Sequence, residues 1–136
     1  IDTNIVLALL VFNDPRTQAL RAALAQGQLR WVATPAMRTE LQRVLDYPQI
    51  AKRRVYYALS VHDVLQAFDG MAQLFDAAPK APATCKDPDD QKFIDLAVQH
   101  QATLLSKDHA VLCMRKRLAP FVPRTVALFE GLDVTQ

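Results

Sequence analysis

Apolar positions along the chain fall into two rhythms, stripes at helical spacing and short unbroken runs. Residues 15–26 read as a helix, because Asp14-Pro15 supplies a cap followed by proline at the first helical position, and Gly27 supplies a stop. Leu29 to Ala33 is a short strand. Thr34-Pro35 caps a second helix that runs to about Asp46, where Tyr47-Pro48 interrupts it. Residues 49–75 are mostly helical, as two helices meeting near Ser60, which caps the second. The stretch 76–85, with Pro79, Pro82 and several alanines, is irregular and has room for a short strand. Beyond it the pattern predicts a helix over 89–101, a strand over 103–106 and a helix over 108–117. A strand over 121–126 and a helical turn over 128–131 complete the reading.

Strands alternating with helices through short connections imply a parallel sheet covered by helices, the α/β class. In such sheets ligands bind at the carboxyl ends of the strands. Asp2 and Asp108 both fall at that end. The apolar run expected ahead of Asp2 is reduced to Ile1, so residues upstream are expected to complete a strand there.

Composition narrows the reading. With 136 residues, 51% of them hydrophobic, the chain has the size of one domain around one core, and residues 1–136 are read as that domain. Three glycines exclude a glycine-rich phosphate loop and the dinucleotide-binding classes that need one. A formal charge of +2 does not by itself demand a nucleic-acid partner. Acids gathered in one place would leave the rest of the surface more basic than that total. Cys85 and Cys113 share neither metal-type spacing nor a disulfide framework, and are read as reduced thiols of a cytoplasmic protein. No apolar run approaches the ~20 residues needed to span a bilayer, and no signal peptide is visible, so no membrane partner is expected.

The candidate chemistry lies in four carboxylates, Asp2, Glu40, Asp90 and Asp108. A fold that gathers such charges needs a cation to hold them, because carboxylates repel one another and resist desolvation. An all-oxygen site of this kind takes a hard divalent metal and usually handles phosphates. At ~100° per residue, Asp90 lies in the middle of the stripe made by Phe93, Ile94 and Ala97, while Asp89 and Asp95 fall away from it, Asp95 toward solvent. An acid at the start of an apolar stripe is either a dipole-stabilised first-turn residue or a buried ligand. Glu40 borders the face formed by Met37, Leu41, Val44 and Leu45, where a solvated rim residue is the plainer alternative. Asp108, after Thr103-Leu104-Leu105-Ser106, is equally suited to a helix cap, and Asp2 shares that ambiguity. The amide of Asn4 is placed to orient the Asp2 carboxylate.

In these residues the chain resembles the PIN domain family. Asp2-Thr3-Asn4 is similar to its opening motif, and Glu40 stands in a Glu-Leu context after the second strand. Asp90 with Phe93, Ile94 and Ala97 matches the third acid, and Ser106-Lys107-Asp108 the fourth. The run Asp87-Pro88-Asp89-Asp90 resembles one branch in particular, the toxin components of toxin–antitoxin pairs. The resemblance implies a Rossmann-like three-layer sandwich with a short parallel sheet flanked by helices. It implies Mg²⁺- or Mn²⁺-dependent cleavage of single-stranded RNA, with Asp2, Glu40, Asp90 and Asp108 as catalytic metal ligands. Asn4, Ser106 and Asp87 would support them, and Arg38, Arg43 and Lys107 would approach RNA. An antitoxin is the implied protein partner; the apolar helices of 49–75 would serve it or a second copy of the chain, and a monomer's core would read the same. The alternatives are a catalytically silent PIN-like module that binds RNA or a protein, and a phosphotransfer or receiver protein. The latter is disfavoured because Asp2-x-Asn4 lacks a second acid.

Other features carry less. Lys52-Arg53-Arg54 beside Tyr56-Tyr57 would suit an RNA backbone and a base, but reads more simply as a solvated helix face with one tyrosine in the core. Arg115-Lys116-Arg117 offsets a helix dipole. His62, His100 and His109 form no ligand pattern, and Trp31 reads as core.

Overall fold

The computed structural model describes residues 1–106, 109–122 and 125–127. The chain opens with helix α1 (Thr3–Leu10), followed by a 3₁₀ turn (Pro15–Thr17), α2 (Gln18–Ala25) and strand β1 (Trp31–Ala33). Three helices come next, α3 (Pro35–Leu45), α4 (Pro48–Tyr56) and α5 (Val61–Met71), and then β2 (Ala72–Leu74). A second 3₁₀ turn (Pro88–Asp90) leads into α6 (Gln91–His100) and β3 (Leu104–Ser106), with α7 (His109–Leu112), α8 (Arg115–Leu118) and β4 (Thr125–Ala127) closing the order.

The architecture is the expected α/β sandwich, a short parallel sheet between layers of helices. Its strands are hydrogen-bonded as two parallel pairs. β1 lies on β2 with Trp31 opposite Ala72, and β3 lies on β4 with Leu104 opposite Thr125. Parallel neighbours need a crossover between them, and α3 to α5 supply one while α7 and α8 supply the other. Ile1, Val32 and Leu104 line one small cavity, so the start of the chain touches both pairs.

Local chemistry explains most boundaries. Asp14 accepts the Arg16 N–H ahead of Pro15, and Gly27 beyond α2 takes a positive φ of 73°, which costs a side-chain-free residue little. Thr34 accepts the Met37 N–H to start α3, whose Met37, Leu41 and Leu45 form a buried stripe at four-residue spacing. Ser60 and Asp63 form a reciprocal capping box on α5. The T-shaped contact of Trp31 with Phe68, at 5.0 Å between ring centroids, fastens α5 beneath β1. Trp31 is core, as its sequence context predicts.

Several expectations are corrected. α1 is a helix that no stripe announces, because it is apolar nearly all round and buries Ile5 to Leu9. The helical reading of 49–75 extends too far, since α5 ends at Met71 and residues 72–74 turn into β2. Residues 76–85 hold no strand; the strand of this part of the chain is Ala72–Leu74, held there by pairing with β1 that local propensity cannot foresee. The helix expected over 108–117 is two short pieces. The last strand starts at Thr125 rather than Phe121. Asp95 does not face open solvent, because the 81–83 segment folds over it and the Ala81 N–H and Gln91 amide donate to its Oδ1. The helical turn expected over 128–131 lies outside the described residues.

Candidate metal centre

Asp2 sits where the chain enters α1, beside the end of β3. Its own N–H donates to the Leu105 carbonyl at 3.1 Å, which ties this entry to the strand. Oδ1 accepts the Ile5 N–H at 3.1 Å and so caps α1, and Oδ2 accepts the Ser106 hydroxyl. The residue is 2% exposed. A buried carboxylate is costly unless donors satisfy it; here a helix N-terminus and a strand-end hydroxyl supply them. Asp2 is thus the helix cap of one alternative, and its carboxylate also stands beside the end of β3.

Asp90 ends the 3₁₀ turn and starts α6. Its side chain makes no capping bond to that helix, and it is 8% exposed. The cap of the preceding turn is Asp87, whose Oδ1 accepts the Asp89 N–H at 3.0 Å. Asp87-Pro88 therefore builds the turn that leaves Asp90 at the head of the buried stripe of Phe93, Ile94 and Ala97. Glu40 lies half-buried on α3. Its Oε2 is met by the Lys92 ammonium at 2.7 Å as an ion pair. The same ammonium donates to the Asp89 carbonyl at 2.5 Å and lies 4.9 Å from the centre of the Phe93 ring.

These side chains share one open cleft of about 340 Å³. Asp2, Asn4, Glu40, Asp87, Asp89 and Asp90 line it, with Tyr47, Gln49 and Ile50 along one wall. The fold has brought α1, α3 and the turn before α6 to a single concavity, and Ser106 reaches it through Asp2. Arg38 is not part of it, because its guanidinium is taken by Asp69 of α5 at 2.8 and 2.9 Å. Arg43 is exposed on α3 and does not line the cleft. Lys107 and Asp108 lie outside the described residues.

Two contributors escaped the sequence reading. Asp89 lines the cleft although helical phasing sets it aside, because it lies ahead of the α6 N-cap Asp90, inside the 3₁₀ turn, where ~100° per residue does not apply. Lys92 could have been found as the first cation on the helix that follows Asp90.

Five acids lining one cleft suit a hard cation, since oxygen donors of this charge favour Mg²⁺ or Mn²⁺ over softer metals. Among the described residues, no three acids, histidines or cysteines stand close enough to form a ready-made ligand group. Asp2 and Glu40 each already carry a counterweight, a hydroxyl and an ammonium respectively. The fit is one of donor chemistry.

In a parallel α/β sandwich ligands bind at the strand ends, and here Asp2 with Ser106 at the end of β3 heads the acidic cleft. The family model described as PIN domain matches residues 1–110, more than half of the chain, and the chain belongs to that family. PIN domains are generally nucleases that use divalent metals. No curated protein and no solved structure matches the chain. No helix among the described residues is long and apolar enough to cross a membrane.

Proposed function

We propose that the chain is a divalent-metal-dependent endoribonuclease that hydrolyses phosphodiester bonds of single-stranded RNA, acting in the cytoplasm as the toxin of a toxin–antitoxin pair. Residues 1–136 are read as one catalytic domain. The observation that carries the reading is the meeting of Asp2, Glu40 and Asp90, from three separate elements, in one cleft. The family membership points to the same chemistry.

Asp2, Asp90 and Asp108 are the ligands for Mg²⁺ or Mn²⁺, with Glu40 sharing that ion or a second one. Asp108 enters on its position two residues after Ser106. A divalent ion held there would supply positive charge against the scissile phosphate and would lower the pKa of a water that attacks it. Ser106 and the first turn of α1 fix the orientation of the Asp2 carboxylate. Asp87 holds the turn that presents Asp90. Asn4, which lines the same cleft, would help to position the Asp2 carboxylate.

Asp90→Asn tests the reading, because it keeps the shape of the side chain and removes its charge. The expected result is loss of Mn²⁺- or Mg²⁺-dependent cleavage of a single-stranded RNA with the circular dichroism spectrum unchanged. Cleavage by the pure variant at the wild-type rate would overturn it. The ion pair of Glu40 with Lys92 favours a second reading, a catalytically silent module that binds RNA or protein. Absence of cleavage by the wild-type chain with either metal, alongside retained RNA binding, selects that one. The toxin role predicts growth arrest on expression, relieved by co-expression of a small protein encoded beside it.

A further inference from the structure

Helix α4 spans Pro48–Tyr56 and buries none of its side chains. Of the five large apolar side chains exposed among the described residues, four belong to this helix and its ends: Tyr47, Val55, Tyr56 and Tyr57. The sequence reading placed one tyrosine of the Tyr56-Tyr57 pair in the core, but Tyr56 is 83% and Tyr57 42% exposed. Their rings meet edge to face at 5.2 Å, which holds two aromatic faces out from the protein.

The helix is also basic, with Lys52, Arg53 and Arg54 and no acid between Pro48 and Tyr57. The three cations have different tasks. Arg54 is spent on the fold, donating to the Leu45 and Leu59 carbonyls at 3.3 and 3.0 Å. Lys52 and Arg53 are exposed and make no ion pair among the described residues. The Arg53 guanidinium lies 3.8 Å from the centre of the Phe12 ring, which sets its direction without neutralising it.

Helical spacing joins these groups to the cleft. Gln49, Lys52 with Arg53, and Tyr56 follow one another at three- and four-residue steps and so share one face of α4. Gln49 lines the acidic cleft itself, as do Tyr47 and Ile50. From Gln49 to Tyr56 the axis rises about 10 Å at ~1.5 Å per residue. One stripe therefore leads from the acid-lined cleft to two cations and then to an open aromatic ring.

We propose that this face of α4 is a track for single-stranded RNA leaving the cleft, with Lys52 and Arg53 on the phosphates and Tyr56 stacking a base. It rests on the reading of the cleft as a ribonuclease site. Exposed aromatics beside unpaired cations fit a flexible polyanion with π-faces, the combination by which single strands are held without sequence preference.

The test is fluorescence anisotropy of a labelled single-stranded oligoribonucleotide in EDTA, over a series of salt concentrations, with Tyr56→Ala, Lys52→Gln and Arg53→Gln. All three side chains are exposed, and circular dichroism checks the fold. Tyr56→Ala is expected to weaken binding by about 5- to 100-fold. Each of the two charge variants is expected to lower the slope of log affinity against log salt by about 0.7. Wild-type affinity and slope in all three variants overturn the track, while Asp90-dependent cleavage by the same preparations leaves the ribonuclease reading standing. No binding by the wild-type chain also overturns the track, while Asp90-dependent cleavage by that chain leaves the ribonuclease reading standing. A wild-type dimer that Tyr56→Ala converts to a monomer in sedimentation, with RNA binding unchanged, assigns the face to a second copy of the chain and overturns the track.

Discussion

Ser106 and Asp2 stand 104 positions apart, and the hydroxyl of one donates to the buried carboxylate of the other. The bond joins the end of β3 to the start of α1 at the head of the acidic cleft. Ser106→Ala removes one of the donors that offset the desolvation of Asp2. It is expected to cost about 1–3 kcal/mol in urea unfolding. Cleavage should fall as well, because the carboxylate loses its orientation, and Ser106→Thr should restore much of both.

Lys92 stands against Glu40 where a cation would be needed in any case. Lys92→Met takes that positive charge from the cleft and leaves the acids less compensated. Mn²⁺ binding, followed by titration calorimetry, is expected to tighten several-fold. Glu40→Gln should loosen it. Weaker binding in Lys92→Met would show that the ammonium supports the site rather than competing for it.

Two surface acids make stability depend on acid pH. Hydrogen bonds from Arg38 hold the Asp69 carboxyl below its usual range. The backbone N–H of Ser60, and then its side chain, do the same for Asp63. Both groups stay ionised in the folded chain at pH values where the unfolded chain has begun to bind protons. Their contribution is therefore complete above the unfolded value of about 3.9 and is lost as pH falls through the folded value. Asp69→Asn should lower the urea midpoint at pH 7 and make progressively less difference as pH falls below the unfolded value. The loss should stay within about 1 kcal/mol, because both ends of the Arg38 pair are partly solvated.

Phe68 is fully buried on α5 and its ring meets Trp31. Phe68→Ala leaves a cavity beneath β1 and is expected to cost about 3–5 kcal/mol of unfolding free energy. Since β1 leads into α3, the variant should also reduce cleavage at temperatures where it remains mostly folded, by loosening the placement of Glu40.

Much of this was legible in the chain, and where it was not the reason is physical. Asp14-Pro15, Thr34-Pro35 and Ser60 announce helix starts because a cap is a local hydrogen bond between neighbours. Asp90 could be singled out because phasing along α6 is local too. α1 left no stripe, since a helix buried on most sides has no polar face to set against an apolar one. β2 was hidden for a different reason: three residues, two of them largely exposed, become a strand only because β1 lies beside them.

By itself, then, the sequence determined the α/β class, the order of the acids and the inward position of Asp90, all of which follow from spacing between near neighbours. Only the tertiary structure decided which charges meet. It set Lys92 against Glu40, gave Arg38 to Asp69, hung Asp2 on Ser106 and left Tyr56 in the open. Each of those outcomes depends on contacts between elements distant in the chain, and a pairing across the fold leaves no period in the sequence from which it could be read.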